Sequence, residues 1–203
     1  MKLKPDAILF DLDGVLVDSF DAWLASLNDS FTILKRKEIS REEFLEIYWG
    51  YDLYSNIKRM NLPENVGELC NKKYEEHIEK VKIIPNAKQV LEKLKDYKKA
   101  IITNTPRSSA IKVLKKFYIY KEFDFVLTSD DVRIAKPDPE IVLKSCRKLK
   151  IDPRKALLIG DTESDVNAGK AAGCKVIGIN IDADYKVENI SEIVKLIYTN
   201  NIK

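Results

Sequence analysis

The sequence contains little histidine and little cysteine, and both shortages exclude chemistry. His77 is the only histidine in 203 residues, and it lies in a polar, helix-forming stretch where we expect an exposed side chain. Ser-His-Asp triads, multi-histidine metal sites and phosphohistidine chemistry each need a well-placed histidine. Cys70, Cys146 and Cys174 are odd in number and far apart, which argues against a disulfide framework and a cysteine-rich zinc site. We expect each cysteine to be a small buried apolar residue.

Long apolar runs and an excess of one charge are also missing. The longest apolar runs, such as Ala7 to Phe10 and Ala156 to Ile159, are far shorter than a membrane span. No long apolar segment lies near Met1, so we expect a cytoplasmic protein without a membrane partner. Thirty-five basic and 32 acidic residues are interleaved, which predicts no nucleic-acid partner. Nothing in the composition indicates an oligomeric state.

Short apolar runs that alternate with helix-forming segments predict the fold class. Such alternation is typical of an α/β fold with a parallel sheet, here of five strands. The predicted strands are Ala7–Phe10, Ala100–Thr103, Phe123–Thr128, Ala156–Gly160 and Lys175–Ile179.

The first two predicted strands are separated by about ninety residues, more than one crossover needs. Residues from Ser19 to Val81 show helical patterns only, with a capping box at Ser40. We therefore predict a small helical domain, residues 18–82, inserted into a core domain formed by residues 1–17 and 83–203. The alternative is that these helices simply pack on the sheet.

Several helix ends are marked by capping residues. Asn86 is predicted to cap a helix from Ala87 to Leu94. Thr105 places a hydroxyl before Pro106, which suits the first position of a helix. Gly173 is expected to end a helix that begins near Glu163, in a left-handed conformation.

Two aspartates directly follow the first strand, where open α/β sheets bind their ligands. Asp11 and Asp13 flank Leu12, so both can face one side of the strand exit, and Gly14 permits a sharp turn. Two carboxylates this close repel each other, and a cation or a shared proton is expected between them. A solvated Asp-Gly turn would explain this motif alone.

Polar groups recur where three more strands lead to the same edge. Thr103 and the amide of Asn104 follow the second strand and approach a helix N-terminus, which suits an anion. Lys136 follows the third strand, and Asp161 and Asp165 follow the fourth, one helical turn apart. Each group alone could be a cap or a solvated charge. Together they predict a site for phosphate and Mg²⁺.

These motifs, in this order, resemble the haloacid dehalogenase-like hydrolase superfamily. The resemblance rests on Asp11-Leu-Asp-Gly-Val-Leu-Val-Asp, Thr103-Asn, Lys136-Pro and Gly160-Asp-x-x-x-Asp165, and it covers essentially the whole chain. It is strongest with the branch that carries a helical cap after the first motif, which includes phosphoglycolate phosphatases and β-phosphoglucomutases. It implies a three-layer, Rossmann-like core domain and a helical cap domain.

The resemblance also implies a role for each motif residue. Asp11 would be the nucleophile that forms an aspartyl-phosphate, and Asp13 the general acid and then the base. Mg²⁺ would be bound by the Asp11 and Asp161 carboxylates and the Asp13 carbonyl, with Asp165 supporting the metal indirectly or through water. The residues implied to bind the phosphoryl oxygens are Thr103, the Asn104 amide and Lys136.

Substrate contacts are expected from the cap, in the loop around Gly50. In related caps a glycine-centred loop reaches the active site, which makes Gly50, Tyr51 and Asp52 the candidates. The alternative is that the aromatic residues of this loop fill the cap core. Arg59 could meet a second anionic group of the substrate.

The favoured function is a Mg²⁺-dependent phosphatase acting on a small phosphorylated metabolite, with 2-phosphoglycolate as the first guess. The alternative is a sugar phosphomutase of the β-phosphoglucomutase type, and a catalytically silent binding domain is a third reading. Haloacid dehalogenases lack the second aspartate and the metal, so Asp13 and Asp161 favour phosphoryl chemistry. Phosphonoacetaldehyde hydrolases use a cap lysine as a Schiff base, for which Lys58 and Lys80 are available.

Overall fold

The computed structural model describes residues 3–198. The strands are β1 (Ala7–Phe10), β2 (Val17–Asp18), β3 (Lys82–Ile83), β4 (Lys98–Ile102), β5 (Phe125–Leu127), β6 (Ala156–Gly160), β7 (Lys175–Ile179) and β8 (Tyr185–Val187). The α-helices are α1 (Phe20–Ile33), α2 (Arg41–Glu43), α3 (Leu53–Arg59), α4 (Asn65–Glu76), α5 (Ala87–Lys93), α6 (Arg107–Lys116), α7 (Glu140–Leu149), α8 (Glu163–Ala172) and α9 (Ser191–Tyr198). A π-helical turn, Phe44–Tyr48, continues α2, and short 3₁₀ turns cover Ile78–Lys80, Tyr120–Glu122, Ser129–Asp131 and Pro153–Lys155.

Six parallel strands form the main sheet, in the order β5-β4-β1-β6-β7-β8. All five predicted strands are present, and β1, β6 and β7 have the predicted bounds. The predicted number of strands was wrong, because β8 adds a sixth at the edge. Its three residues include the exposed Lys186 and form no apolar run, so the pattern of buried strands does not reveal it.

The sheet lies between two layers of helices, as the alternation of side chains along β1 requires. Ile8 and Phe10 belong to the apolar cluster that includes residues of α5, α6 and α9. Ala7 and Leu9 belong to the cluster on the other face, with residues of α7 and α8. The core is therefore the expected three-layer α/β structure, with β1 at its centre.

The helical insertion has an apolar core of its own. Helix α1 packs along α4, and apolar residues of α1, α3, α4 and the π-helical turn form a separate cluster. Where the chain leaves and rejoins the core, β2 pairs antiparallel with β3 through Val17–Ile83 and Asp18–Lys82. The boundaries 1–17, 18–82 and 83–203 stay a prediction, and residues 1–2 and 199–203 of that division lie outside the described residues.

The helix-end predictions were partly confirmed. Ser40 accepts a hydrogen bond from the Glu43 amide, and Gly173 ends α8 with φ of +84°. Asn86 precedes α5 but adopts φ of +65°, and its side chain does not cap the helix. Helix α6 begins at Arg107, one residue later than predicted, because Pro106 takes the capping position. Within residues 3–198, none of the helices combines the length and the apolar character needed to cross a bilayer.

Buried thiols account for the three cysteines, as predicted. Cys70 lies in the apolar cluster of the insertion, and Cys146 and Cys174 lie in the cluster beneath α7 and α8. All three are free.

Candidate active site

The polar groups predicted to meet at one edge of the sheet do meet there. Strand β1 lies between β4 and β6, so the residues that follow these three strands are neighbours. A cavity of about 70 Å³ lies between this edge and the helical insertion. The sequence-predicted residues that line it are Asp11, Asp13, Gly50, Tyr51, Thr103, Asn104 and Lys136. Asp161 and Asp165 stand beside Asp11 in a cluster of carboxylates.

Lys136 is buried among these carboxylates. Its ammonium lies 2.8 Å from Asp11 Oδ1 and 2.6 Å from Asp165 Oδ1, and it donates to the Ile102 carbonyl over 3.0 Å. The residue is only 3% exposed. Burial alone would lower the pKa of Lys136, but the charges of Asp11 and Asp165 outweigh burial and raise it. Lys136 therefore carries a fixed positive charge at the floor of the cavity.

The Asp161 carboxylate lies against the turn at Gly14. Gly14 has φ of +77°, and a Cβ atom there would overlap the Asp161 carboxylate. A side chain is therefore excluded both by conformation and by space. This close approach brings the end of β6 against the turn that follows β1, and with it Asp161 close to Asp11.

Asp11, Asp161 and Asp165 form a group that suits a cation. One oxygen of each lies within 4.8 Å of the others. Asp161 Oδ1 is buried and accepts no hydrogen bond from residues 3–198. Burial and the charge of Asp165 raise the pKa of Asp11 to about 7, and the same two causes raise the pKa of Asp161. Buried carboxylates with an unpartnered oxygen are the donor set that a hard divalent cation prefers.

Asp165 differs from the other two because both of its oxygens are occupied. Oδ1 accepts from Lys136, and Oδ2 accepts from the Thr162 hydroxyl at 2.7 Å and the Thr162 amide at 3.2 Å. These bonds fix Asp165 at the start of α8. The arrangement suits a group that orients Lys136 and its neighbours more than one that offers a free oxygen to a ligand.

Hydroxyl groups surround the Asp13 carboxylate. Thr105 donates to Asp13 Oδ2 at 2.6 Å, Ser19 donates to Oδ1, and Thr103 makes a longer contact of 3.4 Å with Oδ2. Burial raises the pKa of Asp13, and the bonds from Ser19 and Thr105 partly offset that rise. The geometry holds Asp13 in one orientation beside Asp11.

Sequence reasoning missed the contacts that Thr105 and Ser19 make. Thr105 was interpreted as a helix cap, but its side chain caps no helix, and neither does that of Ser19 before α1. The available signal was that Thr105 follows a strand that ends at the ligand-binding edge of the sheet. Helix-capping propensity alone predicts that such a hydroxyl caps a helix. Only the position of Asp13 in the structure shows that the hydroxyl bonds to its carboxylate instead.

Asn104 presents its backbone and its side chain to different partners. Its backbone N–H makes no hydrogen bond within residues 3–198, which leaves it available to an anion. Its side-chain amide is occupied by the backbone of Lys136 and by the Gly50 carbonyl. The predicted amide therefore has a free donor at the cavity.

Gly50 and Tyr51 both line the cavity, and their contact with a substrate stays a prediction. The alternative for the aromatic residues also holds in part, because Trp49 packs on Phe20 and Phe44 in the cap core. Asp52 instead accepts from the Ser55 amide and caps α3.

Arg59 lies outside the catalytic cavity. Its guanidinium stacks over the Tyr51 ring at 4.2 Å, and it lines an adjoining groove of about 930 Å³. Lys58 also lines that groove, and neither Lys58 nor Lys80 lines the catalytic cavity. The placement of these lysines disfavours a Schiff-base mechanism.

Comparisons with known proteins agree with this geometry. The family profile described as haloacid dehalogenase-like hydrolase matches residues 8–179. The chain is 32% identical to pyrophosphatase PpaX of Bacillus velezensis, over 94% of this chain and 95% of that protein. It is 29% identical to a phosphoglycolate phosphatase of Haemophilus influenzae, over 88% of this chain and 87% of that protein.

A solved structure extends the comparison to three dimensions. The crystal structure of a HAD-superfamily hydrolase, subfamily IA, variant 1, from Geobacter sulfurreducens superposes with a TM-score of 0.81. The two sequences are 30% identical, and the match covers 95% of this chain and 100% of the other. The insertion and the core are therefore both shared with that structure.

Proposed function

This chain belongs to the haloacid dehalogenase-like hydrolase family, and from that premise we propose that it is a Mg²⁺-dependent phosphatase of a small phosphorylated metabolite. One arrangement carries the proposal: the Asp11 carboxylate lies at the cavity beneath the insertion, in buried contact with Lys136 and next to Asp161. A nucleophile, a fixed cation and a set of metal-ligating oxygens are what phosphoryl transfer requires.

The proposed reaction begins at Asp11. A carboxylate oxygen of Asp11 attacks phosphorus, forming a P–O bond while the bond from phosphorus to the leaving oxygen breaks. Asp13 gives its proton to that oxygen. Burial raises the pKa of Asp13, which is the direction that favours a proton donor.

The second half releases phosphate. Asp13, now a carboxylate, takes a proton from a water molecule that attacks the phosphorus of the aspartyl-phosphate. The P–O bond to Asp11 then breaks, which returns Asp11 as a carboxylate. The Thr105 and Ser19 hydroxyls hold the Asp13 carboxylate in one orientation beside Asp11.

The metal-ligating residues of the proposal are the Asp11 and Asp161 carboxylates and the Asp13 carbonyl. When bound, Mg²⁺ would neutralise charge that develops on the phosphoryl oxygens. The charges of the site support this assignment. With Asp13 protonated, the negative charges of Asp11, Asp161 and Asp165 balance those of Lys136 and one divalent cation, so a phosphate dianion meets a neutral site.

The cavity supports a small substrate. The helical insertion lies over the cavity, and the aromatic side chains of Tyr48, Trp49 and Tyr51 line it opposite Asp11. 2-Phosphoglycolate is the first substrate we propose, and inorganic pyrophosphate is the second. The names of the relatives in Haemophilus influenzae and Bacillus velezensis favour these two, respectively.

The first test is hydrolysis of p-nitrophenyl phosphate with Mg²⁺ or EDTA, by the wild type and Asp11→Asn. We expect release that needs Mg²⁺ and vanishes in the variant. Release that persists in Asp11→Asn would contradict the aspartyl-phosphate mechanism. A panel of 2-phosphoglycolate, pyrophosphate and β-glucose 1-phosphate then assigns the substrate. Conversion of β-glucose 1-phosphate to its 6-phosphate without phosphate release would identify a phosphomutase instead.

A further inference from the structure

The side chain of Asn104 joins three parts of the active site. Its Nδ2 donates to the Lys136 carbonyl at 2.9 Å and to the Gly50 carbonyl at 3.1 Å, and its Oδ1 accepts from the Lys136 amide at 3.0 Å. One amide group therefore satisfies both backbone groups of the buried lysine and also reaches the inserted helical domain. Both donor hydrogens and the acceptor are used.

The bond to Gly50 is unusual for its surroundings. Among the described residues 44–60, Gly50 is the only one that is hydrogen-bonded to the core of the protein. It has φ of +86°, and a Cβ atom there would lie 3.0 Å from the Thr162 methyl group. The absence of a side chain thus lets this backbone approach both Thr162 and Asn104 closely. The loop is seated on the core through its backbone.

The bonds to Lys136 connect that loop to the charge of the site. Lys136 is buried, so its backbone N–H and C=O would lose their partners if the Asn104 side chain were removed. The same residue carries the ammonium that contacts Asp11. A substitution of Asn104 therefore affects the proposed nucleophile, Asp11, through Lys136.

We propose that the Asn104 side chain is the latch that holds the helical insertion closed over the cavity and couples that closure to Lys136. This role rests on the proposed function of the same site and deepens it. Asn104 is a positioning residue through its side chain, distinct from the phosphate contact predicted for its backbone N–H. Opening the insertion breaks the bond to Gly50 and leaves the two bonds to Lys136.

Helix α4 of the insertion also contacts α6 of the core, and these contacts do not take this role. Asn71 bonds to Ser108 and Ser109, and Lys112 pairs with Glu75, so these contacts join α4 to α6. None of these five residues lines the catalytic cavity. They are suited to hold the insertion on the core, but they do not respond to what occupies the site.

Tryptophan fluorescence gives a test that does not depend on turnover. The chain has two tryptophans, Trp23 and Trp49, and both line the cavity beneath the insertion. Quenching by acrylamide measures how open the cavity is, in EDTA and with Mg²⁺ plus inorganic phosphate. We expect Asn104→Ala to raise the quenching constant with Mg²⁺ and phosphate about twofold, because loss of one hydrogen bond shifts the closed-to-open ratio roughly tenfold.

The chain offers a matched control. Asn28 pairs with both backbone groups of Ile39, donating to its carbonyl at 3.0 Å and accepting from its amide at 2.8 Å, as Asn104 does with Lys136. Neither Asn28 nor Ile39 lines the catalytic cavity. Asn28→Ala should lower the melting temperature but leave quenching and kcat as in the wild type.

A second variant keeps part of the support of Lys136. Asn104→Asp retains an acceptor for the Lys136 amide but has no donor for the Lys136 or the Gly50 carbonyl. It should be quenched at least as strongly as Asn104→Ala, because its carboxylate also repels the Gly50 carbonyl, and it serves alone if Asn104→Ala does not fold. In kinetics on p-nitrophenyl phosphate, we expect kcat to fall roughly tenfold in both variants with KM changed less than about threefold, because the bond exists in the closed, reacting state.

Wild-type quenching in both Asn104 variants would overturn the latch, whatever their activity, and would leave Asn104 a support of Lys136 alone. Increased quenching in Asn28→Ala equal to that in Asn104→Ala would overturn it too, because the effect would then follow from general destabilisation. If the wild type hydrolyses no phosphoester, the proposed function fails, but the quenching comparison still decides the latch.

Discussion

The Thr105 hydroxyl donates to Asp13 Oδ2 over 2.6 Å and so orients the proposed general acid. From the sequence alone, Thr105 was predicted to cap a helix. Thr105→Val removes that donor and keeps the shape. A hydrogen bond to a charged group contributes about 1.5–3 kcal/mol, so we expect kcat to fall by roughly 10- to 100-fold. Steady-state hydrolysis of p-nitrophenyl phosphate checks this.

Thr105→Ser is the control for that variant because it keeps the hydroxyl and loses only a methyl group. It should retain most of the wild-type kcat. Equal losses in the valine and serine variants would mean that packing of the methyl group, and not the bond to Asp13, is what the site needs.

Lys136→Ala should lower kcat/KM by at least about 100-fold, because within residues 3–198 it removes the only cation that pairs with Asp11 and Asp165. Stability should also fall by about 3–5 kcal/mol, since Asp165 is left buried and unpaired. Turnover and thermal unfolding measure the two effects separately. Near-normal turnover would contradict the electrostatic account of the site.

Lys99→Met provides the comparison for the Lys136 variant. Lys99 is also buried, 4% exposed, but its ammonium donates to the Leu94 carbonyl and lies outside the cavity. We expect Lys99→Met to keep wild-type kcat/KM. A comparable loss of kcat/KM in Lys99→Met would show that the effect of Lys136→Ala comes from removing a buried lysine from the fold and not from removing a charge from the site.

Stability in the absence of metal should fall as the pH rises. The pKa of Asp11 is raised from its ordinary value near 4 to about 7, and that of Asp161 is raised as well. Between these pH values the folded protein binds protons that the unfolded chain has released, so the free energy of unfolding decreases with pH through this window, and the contribution of Asp11 levels off above about 7. Thermal unfolding in EDTA from pH 5 to 8 measures the slope.

Mg²⁺ should reverse that slope, because it binds the ionised carboxylates and stabilises the folded state. The increase in melting temperature on adding Mg²⁺ is expected to be larger at pH 8 than at pH 5. In Asp161→Asn both the pH slope and the Mg²⁺ effect should shrink. A metal-free protein that gains stability between pH 5 and 7 would refute the assignment of these pKa shifts.

Gly14→Ala should abolish Mg²⁺ binding, since its Cβ atom would collide with the Asp161 carboxylate. Gly173→Ala is the matched control. The two glycines have similar φ values, +77° and +84°, but the nearest atom to a Cβ at Gly173 is 3.9 Å away. Both variants carry the conformational cost of about 1–2 kcal/mol, and only Gly14→Ala should also lose the Mg²⁺-dependent rise in melting temperature.

Features that depend on neighbouring residues in the sequence were predicted well, and features that depend on residues distant in the sequence were not. Strands β1, β6 and β7 were predicted to the residue because buried parallel strands are apolar runs bounded by turns. β8 was missed because one short edge strand carries no such run. The π-helical turn at Phe44–Tyr48 has no pattern of its own, because Phe44 is the only one of its five residues that is buried.

For the site, position along the chain was sufficient and orientation was not. Asp11, Asp13, Thr103 and Asp161 follow strands of one parallel sheet, whose carboxyl ends share an edge, so their convergence was predicted. That β1 lies between β4 and β6 was learned from the structure alone. The hydrogen bonds of the Asn104 side chain could not be predicted from the sequence. Its partners are backbone groups 32 and 54 residues away, and no residue type marks a backbone partner.

The antiparallel pairing of β2 with β3 allows the helical insertion to be replaced as a unit. Val17 is paired with Ile83 and Asp18 with Lys82, so the two ends of the insertion leave the core side by side. A segment whose ends are adjacent can be replaced without moving the chain that flanks it. Grafting the corresponding segment of a relative between these two pairs should therefore give a folded chimaera that keeps the phosphoryl chemistry of one parent and takes its substrate range from the other.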